Sequence, residues 1–153
     1  MTPVENAVAQ LGQALGLALA LSAQGTLQLR IGKQLALNLE ADGEAALYAY
    51  AVLGPCPAEA QQSTLFGEML EGQLFGRETG EARFGLDTHR RELLLHRRLD
   101  LRQIDAMAFQ AEIEHFITVA QRWIDRLAAP GEAKSIELTH DLQPSQPGEW
   151  LRG

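Results

Sequence analysis

Hydrophobic positions recur along this chain with two different periods, and the switches between them predict its elements. Val4, Val8, Leu11 and Leu15 fall on one face of a helix. Thr2-Pro3-Val4-Glu5 starts that helix, with Thr2 and Glu5 at capping-box spacing and Pro3 at the first helical position. Gly16 supplies a C-terminal cap. Leu17, Leu19 and Leu21 then alternate and predict a short extended segment. From Gly25 the period is two. Leu27, Leu29 and Ile31 alternate with polar residues, Gly32-Lys33 turns the chain, and Leu35, Leu37 and Leu39 alternate again. Ala41-Asp42-Gly43 makes the next turn. Leu47 to Leu53 reads as a third strand, with Leu47, Ala49, Ala51 and Leu53 on one side and Tyr48, Tyr50 and Val52 on the other. Both sides are partly apolar, which predicts a central strand or one covered on both faces. Three consecutive strands predict an antiparallel meander.

Gly54-Pro55-Cys56-Pro57 breaks the sheet. A second helix is predicted from Pro57 to about Phe75, stopped by Gly76. Leu65, Phe66, Met69, Leu70, Leu74 and Phe75 form its wide apolar stripe. Gly67 and Gly72 each weaken it by ~1 kcal/mol relative to Ala, so packing must hold it, with the close approach of another backbone at the glycines. Two short strands follow near Ala82–Asp87 and Glu92–Leu99. The last helix, about Gln103 to Ala128, carries Phe109, Ile113, Phe116, Ile117, Ala120, Ile124 and Leu127 on one face. The order is helix, three-stranded meander, helix, two short strands, long helix: an α+β fold. Residues 1–129 read as one domain, and residues 130–153, with Pro144 and Pro147, as a weakly ordered tail.

Charge changes the picture more than size does. The chain has 153 residues, 20 acidic and 13 basic, for a net charge of −7. That balance opposes nucleic-acid binding, which depends on cationic contacts to phosphates. It also opposes attachment to anionic membrane surfaces, and no apolar run approaches the ~20 residues that span a bilayer. The single cysteine, Cys56, forbids an intrachain disulfide. Glu5 stands where a signal peptide carries Lys or Arg. These features read as a cytoplasmic protein.

Candidate chemistry is sparse. His89-Arg90-Arg91 and His96-Arg97-Arg98 suggest a basic patch, but Asp87, Glu92 and Asp100 adjoin them and no aromatic platform is interleaved, so solvated strand ends are the simpler reading. Glu112 and His115 form one Glu-x-x-His step where a di-iron bundle needs two, which leaves a solvated helix face. The histidines and Cys56 lack zinc spacing. Cys56 has no base or orienting group beside it in sequence and reads as a turn residue. No serine sits in a Gly-x-Ser-x-Gly setting, and there is no phosphate loop. An acidic domain that keeps its apolar pattern without a catalytic motif reads as one that holds another protein. No cofactor is implied.

Several short motifs then fall in a familiar order. Leu15-Gly16-Leu17 ends the first helix, and Leu53-Gly54-Pro55 with Pro57 ends the third strand. Gln73-Leu74-Phe75-Gly76, Thr79-Gly80 and Gly85-Leu86-Asp87 follow, with Gln73 where Asn is common. Phe116, Ala120, Trp123 and Leu127 mark the last helix. In this order, over about residues 4 to 128, the chain resembles the class I chaperones of bacterial type III secretion, the Tir-chaperone family. The tail after Pro130 is longer than that family's core needs, and Trp150 has no counterpart role.

The resemblance implies a homodimer whose two-fold interface is built by the middle helix and the strand after it: Leu65, Phe66, Met69, Leu70, Leu74, Phe84 and Leu86. It implies a partner, the N-terminal segment of a secreted effector protein, held locally unfolded by strand addition and apolar docking. It further implies an encounter with the secretion ATPase. Leu11, Leu27, Leu29 and Ile31 are assigned to the core, and Leu17, Leu19, Leu21, Tyr48 and Tyr50 to the effector-facing surface. A regulatory adaptor of the same fold, which sequesters a regulator of secretion genes, stays open beside it. So does a small metal-binding protein or enzyme built on His89, His96 or Glu112 and His115.

Overall fold

The structure, a computed structural model, describes residues 1–129; the expected tail lies outside the described residues. Helix α1 spans Pro3–Leu15. Its start follows the sequence rule: the Thr2 hydroxyl accepts from the Glu5 backbone N–H at 3.1 Å, and the Glu5 carboxylate accepts from the Thr2 backbone N–H at 2.8 Å. Gly16 closes it in the left-handed conformation, φ 68°, where a Cβ would be strained. Val4, Val8 and Leu11 are buried as the spacing requires, whereas Leu15, at the last turn, is half exposed.

Strands β1 (Thr26–Ile31), β2 (Leu35–Ala41) and β3 (Ala46–Pro55) form the antiparallel meander. Strands β4 (Arg83–Asp87) and β5 (Glu92–Asp100) join the same sheet, in the order β1-β2-β3-β5-β4. β3 is therefore central, and among the described residues β1 and β4 are the two edges. Directly paired residues of an antiparallel ladder share a face. One face carries Leu37, Leu47, Ala49, Ala51 and Leu95, all 0% exposed. Against it pack α1 and helix α3 (Ala106–Ala128). The far face carries Tyr48, Tyr50, Val52, Leu94 and His96 and is only partly covered.

Helix α3 begins later than its periodicity predicts. The Asp105 carboxylate accepts from the Ala108 backbone N–H at 2.8 Å and sets the start, while residues 101–103 turn. Phe109, Ile113, Phe116 and Ala120 point inward as expected. Val119 and Trp123 are also fully buried, and Ile117 and Leu127 are only partly so. The buried stripe is thus rotated toward Trp123 from the face read in sequence. Burying each large side chain of this kind contributes about 1.5–3 kcal/mol.

Helix α2 (Glu59–Gln73) differs from its prediction at both ends. It starts after Pro57 rather than at it, with Ala58 at the cap. It stops at Gln73, because the Gln73 side-chain oxygen accepts from the Phe84 backbone N–H at 2.6 Å and ties the helix end to β4. A single 3-10 turn, Leu74–Gly76, follows, with Phe75 in the left-handed region at φ 54°. Of the two glycines, Gly72 meets the predicted close approach, although its neighbour is a side chain. A Cβ there would come within 2.9 Å of Trp123 Cζ2. Gly67 faces open space instead.

Candidate functional site

Three surfaces stand out once the fold is in place. The first is the β1 edge. Leu27, Leu29 and Ile31 lie on the helix-covered side of the sheet, opposite Leu39, Leu37 and Leu35. Each is packed against the core yet stays partly accessible, as expected where a sheet ends without a neighbour. At its start the Thr26 N–H donates to Ser22 Oγ at 3.2 Å and the Thr26 carbonyl accepts from the Ser22 N–H at 2.7 Å. Past Thr26, among the described residues, no strand lies beyond the edge to pair with its N–H and C=O groups.

The second is a cleft of about 700 Å³ at the start of that edge. α1 forms one wall, the segment between α1 and β1 another, and the β2–β3 turn the third. The segment doubles back along α1 because Gly12 has no side chain: a Cβ there would lie 2.6 Å from the Leu17 carbonyl oxygen. The Leu17 N–H donates to the Gly12 carbonyl at 2.8 Å and pins the reversal. Leu19 and Leu21 line the cleft and pack against the core, while Leu17 is 54% exposed outside it. The extended segment is present, but it joins no strand.

The third is the corner where α2 meets β4. Phe84 stands edge-on to Trp123 at 4.8 Å, and Arg126 stacks over the same indole at 4.4 Å. Arg126 also reaches Glu78 at 2.8 Å and Glu68 at 3.4 Å, linking α3 to α2 and the loop after it. Met69 is buried, and Leu65 and Phe66 pack against the core. Leu70 is 68% exposed and Phe75 92%, and Leu74 and Leu86 remain nearly half exposed.

The residues assigned to the effector-facing surface are therefore split. Leu19 and Leu21 lie by α1, and Tyr48 and Tyr50 lie on the sheet's opposite face, beside His96 and Arg98. Of the residues assigned to a two-fold interface, Leu70, Leu74 and Leu86 are accessible, whereas Met69 and Phe84 are used within the chain. Gly12 and the charged ends of β1 were not singled out in sequence. A glycine inside an otherwise regular helix was the available signal for the first.

The charged clusters resolve into pairs. Arg90 meets Asp87 at 3.1 Å, Arg98 meets Asp42 at 2.6 Å, and Arg97 meets Glu112 of α3. His96-Arg97-Arg98 thus lies within β5 rather than at a strand end, and Glu112 is half-buried against Arg97 rather than on a solvated face. The backbone N–H of Arg90, then its guanidinium, lowers the Asp87 carboxyl from its ordinary value. The Asp42 hydrogen bond raises Arg98. Arg102 holds Asp100 at about 2, through its side chain first and its backbone second. His96 is lowered, chiefly by burial and then by Arg83 across the ladder. His115 leans over Gly80, whose absent Cβ would sit 2.8 Å from Nε2. The amide nitrogen of Gln62 lies 3.7 Å from Cys56 Sγ. Among the described residues no group of three or more His, Cys, Asp or Glu could hold a metal ion, and no helix is long and apolar enough to cross a membrane.

The sequence model of the Tir chaperone protein (CesT) family matches residues 6–124. The chain belongs to that family. A protein of Chlamydia pneumoniae is 28% identical over 109 residues, covering 71% of this chain and 82% of its own. Two solved structures carry the Tir chaperone fold seen here. The ExsC–ExsE complex superposes with a TM-score of 0.68 at 20% identity, covering 84% of this chain and 96% of that one. The Yersinia pestis type III secretion chaperone SycH, in complex with a stable fragment of YscM2, superposes with a TM-score of 0.61 at 20% identity, covering 80% and 98%. The match to the Tir chaperone family takes in most of α1, the whole sheet, α2 and most of α3, and so the β1 edge and the greater part of the other two surfaces.

Proposed function

We propose that this chain is a cytoplasmic, dimeric chaperone that holds the N-terminal segment of a type III secreted effector in an extended, export-competent form. The observation that carries the reading is the open β1 edge with its three half-covered apolar side chains and the cleft at its start. An added strand would satisfy the edge backbone and cover Leu27, Leu29 and Ile31, and its next residues would enter the cleft. Ordering a disordered segment takes several kcal/mol out of the gross interaction energy, so one strand is too little and a long contact over two subunits is required. Leu70, Leu74, Phe75 and Leu86 support the second subunit, since four large apolar side chains stay exposed on α2, the turn after it and β4, and exposed apolar surface beyond scattered single residues marks interaction sites. Family membership supports the client class, as do relatives solved with a bound protein: SycH with a YscM2 fragment and ExsC with ExsE.

Co-expression with secreted proteins encoded beside its gene tests this. The expected species is two copies of the chain with one client by light scattering, the client's N-terminal segment resisting protease. A chain that elutes as a monomer and recruits no client would contradict the proposal.

A further inference from the structure

The two ends of the β1 edge carry opposite charge. At the Thr26 end, among the described residues, the charged side chains lining the cleft are Glu5 and Glu44, on α1 and on the β2–β3 turn, beside the terminal ammonium of Met1. Glu40 stands opposite Thr26 in the ladder. At the other end Arg30 sits one residue before the end of β1, and Lys33 lies in the turn to β2. All five residues are exposed. Among the described residues, none of the five meets an opposite charge within 4 Å. The next carboxylate along the turn, Asp42, is already taken up by Arg98.

The spacing makes this polarity readable. Five steps along a strand span about 17 Å. The Debye length is about 8 Å at physiological salt. A chain lying along β1 therefore meets two separate fields, one at each end, and not their sum. Apolar contact with Leu27, Leu29 and Ile31 is indifferent to strand direction, and backbone pairing favours it only weakly. Charge is the feature of this edge that distinguishes one direction from the other.

We infer that the β1 edge reads the charge order of its client: the bound strand carries Lys or Arg at the end lying over the cleft, and Asp or Glu at the end beside Arg30 and Lys33. This rests on the strand-addition reading above. Like-charge juxtaposition at either end rejects the reversed order, which fixes register and direction where the apolar pattern alone leaves them loose.

Three synthetic peptides test it against the full chain by fluorescence anisotropy at low salt. All share one alternating apolar core. One has two Lys before the core and two Glu after it, one has the reverse order, and one has Ser at both ends. Each charged order is expected to bind about tenfold tighter than the Ser peptide, the two orders running in opposite directions along β1. The difference is expected to fade at 1 M salt, where the Debye length is about 3 Å. Glu5→Gln with Glu44→Gln, which keeps an amide able to cap α1, and Arg30→Gln with Lys33→Gln are each expected to shrink it. Equal affinity for all three peptides, or a preference that survives both pairs of substitutions, overturns the charge reading and leaves client holding intact. Failure of every peptide to bind overturns strand addition at β1, and the charge reading falls with it.

Discussion

The side of the sheet under α1 and α3 and the corner between α2 and β4 are built from similar residues to opposite effect. In the first, Val8, Leu37, Leu47, Leu95 and Trp123 are 0% exposed. In the second, α2 buries only Met69 and Gly72, and Leu70 on it and Phe75 in the turn after it are more than two-thirds exposed. One region is complete within the chain. The other holds to it through Trp123, Arg126 and the Gln73–Phe84 hydrogen bond, and leaves apolar surface for something else. The difference teaches that apolar content alone does not locate a core; what packs against it does.

The comparison can be broken most sharply by truncation. Phe116→Ala should lower stability by about 3–5 kcal/mol in urea titration, from lost burial and the cavity left behind. Phe75→Ser should change the stability of the isolated chain by no more than about 0.5 kcal/mol while weakening self-association in sedimentation. A large stability loss from Phe75→Ser in a dilute, monomeric sample would place that residue in a core after all.

A smaller effect is expected where the completed side meets charge. Glu112→Ala leaves Arg97, whose side chain is 14% accessible, without its partner, and should be destabilising by about 2 kcal/mol. Glu112→Gln should recover part of that by keeping a hydrogen-bond acceptor. Equal losses in the two variants would reduce the pair to simple packing.

The glycines of α2 sharpen the contrast through sign. Gly67→Ala should stabilise by up to about 1 kcal/mol, since the helix gains propensity and the new methyl meets open space. Gly72→Ala gains the same propensity but drives a methyl into the Trp123 ring, and should come out destabilising by about 1 kcal/mol. Thermal melts of the two variants read the signs directly. Matching signs would mean that α2 is free to shift off Trp123.

The smallest effect is a pH dependence on the sheet's far face. Burial and Arg83 lower the His96 pKa, so the folded chain takes up this proton less readily than the unfolded chain. The unfolded state then binds more protons as pH falls through the ordinary histidine value near 6.5, and stability declines below it. His96→Asn should flatten the decline between pH 7 and 5 in urea titrations, by no more than one proton's worth of slope. An unchanged slope would assign the decline to other groups.

Much of this architecture is legible in the sequence because its signals are local. The Thr2–Glu5 capping box, the left-handed Gly16 and the period-two run from Leu27 to Leu39 each specify structure within a few residues. What was not legible is set by distant partners. That β5 pairs with β3, leaving β4 and β1 at the edges, depends on residues far apart in sequence, from Pro55 with Glu92 to Ala46 with Asp100. The rotation of the α3 stripe toward Trp123 depends on Gly72 and Phe84, which no helical period can show. Leu19 and Tyr48 read as one surface because each belongs to an alternating apolar run, yet the sheet separates them. Strand addition entered through the family resemblance rather than from the residues, and the place proposed for it is visible only in the fold.

Hydrogen exchange of the chain with and without its client tests the account most directly. The account predicts that Thr26–Ile31 gains protection in the complex, while the exposed end of α2 and β4 is already protected by the second copy and does not change. Protection gained at α2 and β4, with Thr26–Ile31 exchanging as fast as in the free chain, would contradict it.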